Sequence, residues 1–180
     1  MQISTRALTS ILIINTILLL TVGLQLIEST KQNQNSLFKP FSSRLDFPQS
    51  LFIPKLKINK SIIPGGYDFQ QKTWNISTNY VHFAVLSAMP SSKHGNTVIY
   101  AHNSRDLFSR INQFSTQDRV ILKTKNGKEF IYEYLSQKDV IPTDISVFTN
   151  DGLPQLVLLT CTGENNSLRR LVYFRLLNEI

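Results

Sequence analysis

Cys161 is the only cysteine in the 180-residue chain, and it ends the apolar run LVLLT just ahead of a short polar loop. A thiol reacts as its thiolate, and a site built on one needs a histidine within reach as acid, base or counter-charge. Three histidines are available. His94 lies in PSSKHGN, a loop composition, and His82 lies inside the apolar run YVHFAVL, where a satisfied core histidine is the plain reading. His102 follows the run TVIYA, where a strand gives way to a loop and functional side chains commonly project. Beyond the loop after Cys161, Arg169 and Arg170 open a second apolar run. A guanidinium suits acyl transfer: attack on a carbonyl builds an oxyanion that a fixed cation stabilises, and the planar fork orients the substrate.

The competing reading of Cys161 is an inert buried thiol, the commoner fate of a free cysteine. With ordinary pKa values of about 8.5 and 6.5, thiolate and imidazolium would coexist in on the order of 1% of molecules at pH 7. Other chemistries find no support. One cysteine and three dispersed histidines give no C-x-x-C or H-x-x-x-H spacing for a metal, and G-x-S-x-G, the phosphate-cradling loop and the papain and caspase signatures are absent. The net charge of +7 suits polyanions, but the basic residues are scattered and the aromatics follow strand spacing, which argues against a nucleic-acid binder.

The elements that must position these residues are mostly short β-like runs: 51–58, 73–78, 97–101, 119–124, 129–135, 156–160 and 171–177. Asn126-Gly127 between two of them predicts a hairpin. Only 104–114 has helical spacing, with Leu107, Phe108, Ile111 and Phe114 on one face and Ser104 as N-cap. The pattern is an all-β domain with one short helix directly after His102. Upstream, residues 7–27 contain no charged residue and as a helix would span about 31 Å, enough to cross a bilayer. Without an A-x-A-like site they read as an uncleaved signal anchor. Residues 1–6 form a short N-terminal segment, 28–46 a polar tether, and 47–180 the folded domain, placed outside the cell membrane as a single-pass protein.

The stretch LLTC, with RLVYFRL nine residues on, resembles the T-L-x-T-C and R-L-V-V pattern of the sortases, membrane-anchored bacterial cysteine transpeptidases. HFAVLSAMPSSKHGNTVIYAHN is similar to their histidine segment, IPKLKINKSI to their first strand and VIPTDISVF to the turn before the cysteine strand, so the likeness covers about 50–177. It implies an eight-stranded sortase-type β-barrel with one or two short helices behind an N-terminal transmembrane helix, with the class D/E-like type as the candidate class. It further implies Cys161 as nucleophile, His102 as general acid and base, and Arg170 as the arginine, since Arg170 directly precedes Leu171-Val172 as in the family. Thr160 and His82 are the accompanying candidates for substrate binding. The implied partners are proteins bearing an LPxTG-like sorting signal and an amine acceptor on a cell-wall precursor or pilin, with no nucleic acid and no cofactor. SAMPSSKHGN carries no acidic residue, so no metal and no calcium requirement is expected. Two positions depart from the family: Val157 stands where Thr is usual, and Ala101 where Gly is usual. The alternative is a sortase-like surface binding module without activity, whose mark would be a missing member of the triad.

Overall fold

The computed structural model describes residues 46–68, 70–71, 73–149 and 152–180. The anchor and tether expected at 7–27 and 28–46 lie outside the described residues, apart from Asp46. Among the described residues no helix is long and apolar enough to cross a membrane.

The described residues form one compact unit. β1 (Pro48–Ile53) runs into a 3₁₀ turn at Pro54–Leu56, where Lys57, in the left-handed region at φ 55°, reverses the chain into β2 (Ile58–Gly65). A two-residue pair, β3 (Tyr67–Asp68) with β4 (Thr73–Trp74), precedes β5 (Val81–Ala84) and β6 (Asn96–Tyr100). β7 (Arg119–Thr124) and β8 (Glu129–Val140) form the hairpin whose turn takes Gly127 at φ 85°, a conformation that favours glycine. One helical turn, α1 (Ser146–Thr149), precedes β9 (Gln155–Thr162) and β10 (Leu168–Glu179). Eight strands close a barrel in the order β1-β2-β5-β6-β9-β10-β8-β7. Two neighbouring pairs are parallel, β2 with β5 and β6 with β9.

The expected helix over 104–114 is instead a run of tight turns ending in a 3₁₀ segment, Ile111–Gln113. Its four apolar positions are nevertheless all buried, because what the spacing encodes is one face turned to the barrel. Ser104 serves through its carbonyl, which accepts from the Leu107 and Ser109 amides.

The strands alternate between two apolar clusters. Leu156, Leu158, Val172 and Phe174 point into the barrel with Leu51, Ile53 and Phe83. Val157 and Leu171 point outward, where with Val98 and Tyr100 they are covered by Val147 and Phe148 of α1 and by Trp74. β6 is therefore buried on both faces. Truncating one of the inward side chains, as in Leu158→Ala, carries a cost of about 2–5 kcal/mol, so this double cover makes the β6–β9 pair a stiff support for whatever its ends carry.

Candidate active site

β6 and β9 run parallel, with Val98 beside Val157 and Tyr100 beside Leu159. Side chains two apart share a face, so His102 and Cys161 are the next residues along the outer face at the same step. Two hydrogen bonds extend the register past the ladder. The Ala101 amide donates to the Leu159 carbonyl (3.2 Å), and the buried Thr160 hydroxyl donates to the Ala101 carbonyl (2.9 Å). His102 and Cys161 are both half-buried, open to solvent where the cover from α1 and Trp74 ends.

Across the other edge of β9 the register separates the two arginines. Arg169 is the direct partner of Cys161, and Arg170 is the partner of Thr160. Directly opposed residues of an antiparallel pair share a face. Arg169 therefore stands on the face of Cys161 and His102, with Val140 of β8 beyond it. Its Nη1 donates to the Asn166 carbonyl (2.8 Å) and the Leu168 carbonyl (2.9 Å), which holds one side of the guanidinium against the loop. Among the described residues its Nε and Nη2 make no hydrogen bond.

Arg170 lies on the opposite face, that of Thr160 and Val172, and opposite Asp139 of β8. The pair is bidentate, Nε to Oδ1 at 2.8 Å and Nη2 to Oδ2 at 2.7 Å. The hydrogen bonds from Arg170 hold the Asp139 carboxyl below its ordinary value, and the same bonds raise the guanidinium above its own. Arg170, the arginine expected at the site, thus has its guanidinium engaged on the other face. Adjacency to Leu171-Val172 does not by itself place Arg170 on the face of the thiol. The Leu171–Leu159 pairing instead puts Leu171 on the outer face, and Arg169 two residues before it.

The two candidate substrate-binding residues are both buried, at 3% exposure each, and neither offers its polar atoms to a bound chain. Thr160 ties Ala101 in place. His82, opposite Tyr100 in the β5–β6 ladder and stacked on its ring at 5.1 Å, takes the Ser77 amide on Nε2 at 2.9 Å. Burial lowers the His82 pKa below the ordinary histidine value; the Pro64 carbonyl opposes this, and the nearby His102 adds to the lowering. His94 is exposed in its loop.

The outer face thus carries a row Val140, Arg169, Cys161, His102 across β8, β10, β9 and the end of β6. Exposed Ile141 and Ile145 follow on the β8 side, and exposed Ile76 and Tyr80 flank Ser77 on the β5–β6 side. A thiol with an imidazole on one side and a cation on the other, between apolar rims, can attack a carbonyl, hold the oxyanion and protonate a leaving amine. Among the described residues, no group of three or more His, Cys, Asp or Glu side chains is placed to hold a metal ion.

Residues 51–177 match the Sortase domain family. Among solved structures, sortase E1 from Streptomyces coelicolor, crystallised with a tripeptide in its active site, is 25% identical with a TM-score of 0.60, over 74% of this chain and 90% of that one. Sortase C from Clostridium perfringens SM101 matches over 72% of this chain and 68% of its own, at 22% identity and a TM-score of 0.59. Sortase A from Corynebacterium diphtheriae matches over 72% and 60%, at 23% and 0.58. The last two are likenesses of fold. No curated protein matches the chain by sequence.

Proposed function

The chain belongs to the sortase family, and from that premise we propose that it is a cysteine transpeptidase anchored in the cell membrane through residues 7–27. It cleaves an LPxTG-like sorting signal on the outer side of the membrane and passes the acyl part to a cell-surface amine, in wall anchoring or pilus assembly. The observation that carries this reading is the shared outer face of His102, Cys161 and Arg169.

In the first half-reaction the Cys161 thiolate attacks the carbonyl carbon of the signal's threonine, and a C–S bond forms. Arg169 receives the oxyanion through the part of its fork that the loop carbonyls leave free. Collapse breaks the C–N bond, and the departing glycine amine takes its proton from the His102 imidazolium. In the second half-reaction the acceptor amine attacks the thioester and gives its proton to His102; the new C–N bond forms and the C–S bond breaks. The groups are side chains throughout and call on no cofactor. An inactive binding module has no observation in its favour, since a cysteine, a histidine and an arginine share the face.

The test is to incubate the full chain, in detergent micelles, with a panel of LPxTG-like peptides and to measure intact mass. The expected result is an acyl adduct on Cys161 that a primary amine releases as a ligated peptide. No adduct with any peptide, or an adduct that persists in Cys161→Ala, overturns the proposal.

A further inference from the structure

Behind His102 a buried polar cluster fastens the loop 75–80 to the barrel. The Tyr100 hydroxyl donates to the Asn75 carbonyl at 2.6 Å. Two residues on, the Ser77 amide donates to His82 Nε2 at 2.9 Å, and the Ser77 hydroxyl lies 3.0 Å from the same nitrogen while accepting from the Tyr80 amide at 3.3 Å. A backbone N–H can only donate. Nε2 is therefore a lone-pair acceptor, and the ring proton of neutral His82 sits on Nδ1, which is buried and makes no hydrogen bond of good geometry.

We propose that His82 is a positioning residue for the reaction: its neutral ring holds the loop 75–80 as the wall beside His102, and taking up a proton at Nε2 releases that wall. A protonated Nε2 would set donor against donor at the Ser77 amide and turn to the Ser77 hydroxyl, which already accepts from the Tyr80 amide, so Ile76 and Tyr80, the exposed apolar residues on either side of that anchor, would lose their fixed place. The groups packed on the ring are the Pro64 carbonyl of β2, Ser77 of the loop, Tyr100 of β6 and His102 past its end. Among the described residues no carboxylate is hydrogen-bonded or ion-paired to His82, and the Pro64 carbonyl is the one group there that favours the charged ring. The burial that lowers its pKa outweighs that carbonyl. Substrate affinity would thus fall on acidification through a group that touches neither thiol nor substrate.

The proposal rests on the site assigned above, so its test includes arms that do not need turnover. Trp74, the only tryptophan, adjoins the loop and packs on Tyr100 and Phe148. In the full chain in micelles, Trp74 emission should shift on acidification below about pH 6.5, with far-UV circular dichroism unchanged. Over the same range the peptide KM should rise about five-fold or more. His82→Gln, whose amide oxygen can accept from Ser77 without titrating, should abolish both changes and keep the KM of neutral pH. His82→Phe, which can stack but not accept, should show the high KM at every pH. The same emission shift and KM profile in His82→Gln as in wild type would overturn the proposal, as would nitrogen NMR of the ring showing the proton on Nε2 at pH 7.5. If no peptide is turned over at all, the functional reading falls, while emission and ring NMR still decide the role of His82.

Discussion

Arg169 stands directly across from Cys161 in the β9–β10 ladder, so the loop between the strands decides which of two adjacent guanidiniums the thiol faces. That loop bends through Gly163, Asn165 and Asn166, all at positive φ, 77°, 53° and 60°. Asparagine and glycine tolerate this conformation better than other residues. A β-ladder slipped by one residue turns every side chain to the other face. Here such a slip would exchange Arg169 for Arg170, and with it the guanidinium across from Cys161 for the partner of Asp139.

Arg169→Ala should therefore lower kcat/KM for peptide cleavage by about 10²–10³-fold, the usual cost of losing one oxyanion donor. Arg170→Ala should stay within a few-fold of wild type. Steady-state kinetics on the two variants decides the assignment, and the reverse ranking would return the role to Arg170.

The Arg170–Asp139 pair has its own signature. Its side chains are 25% and 32% exposed, so solvent screening keeps its worth to about 1 kcal/mol or less. A carboxyl whose folded pKa is lowered contributes stability above its unfolded value, and that contribution is lost as pH falls through the folded one. Asp139→Asn should lower the melting temperature by up to about 4 °C at pH 7. The gap should close as pH falls below about 4 and in molar salt. A gap that is constant in pH would assign the effect to packing.

Thr160 offers a test of how the nucleophile and the histidine are held together. Its hydroxyl bonds the carbonyl of Ala101, the residue before His102, from the position before Cys161. Thr160→Val keeps the shape and leaves a buried carbonyl short of a donor, at about 1–3 kcal/mol. The expected kinetic effect is a fall in kcat with KM held, because neither group reaches substrate, and recovery in Thr160→Ser. A rise in KM with kcat unchanged would mean that Thr160 contacts the peptide after all.

Much of the barrel could be read from local signals. The run 119–124 coincides with β7, and the Asn-Gly turn does join it to β8. β8 runs on to Val140, past a bulge beside Tyr173 and Phe174, because an irregular ladder carries no sequence period. β5 carries no strand period in the sequence, since all four of its residues are buried and nothing alternates. Cys161 and His102 stand out in the sequence because a lone thiol and a strand-end histidine are rare residues in telling places, and the register of β6 on β9 brings the two positions side by side. The choice between the arginines depended on the parity of a loop, which apolar alternation on either side leaves open. The roles of Thr160 and His82 depend on partners 59 and 5 residues away, and for neither does the residue type name the partner.

Gly65 is the last position where a small change should reach the site. A Cβ there would lie 2.1 Å from the Tyr100 hydroxyl oxygen and 2.6 Å from the carbon that bears it. Backbone conformation is not the obstacle, for Gly65 is ordinary extended strand. Gly65→Ala must push the Tyr100 ring aside, at about 1–3 kcal/mol for overpacking, and break its bond to the Asn75 carbonyl. The wall beside His102 would loosen with it, so the peptide KM should rise as the urea midpoint falls. Tyr100→Val removes the obstructing ring, and on that background Gly65→Ala should cost far less, a non-additivity expected of residues in contact. Equal costs on both backgrounds would show that the strain of Gly65→Ala falls elsewhere than on Tyr100.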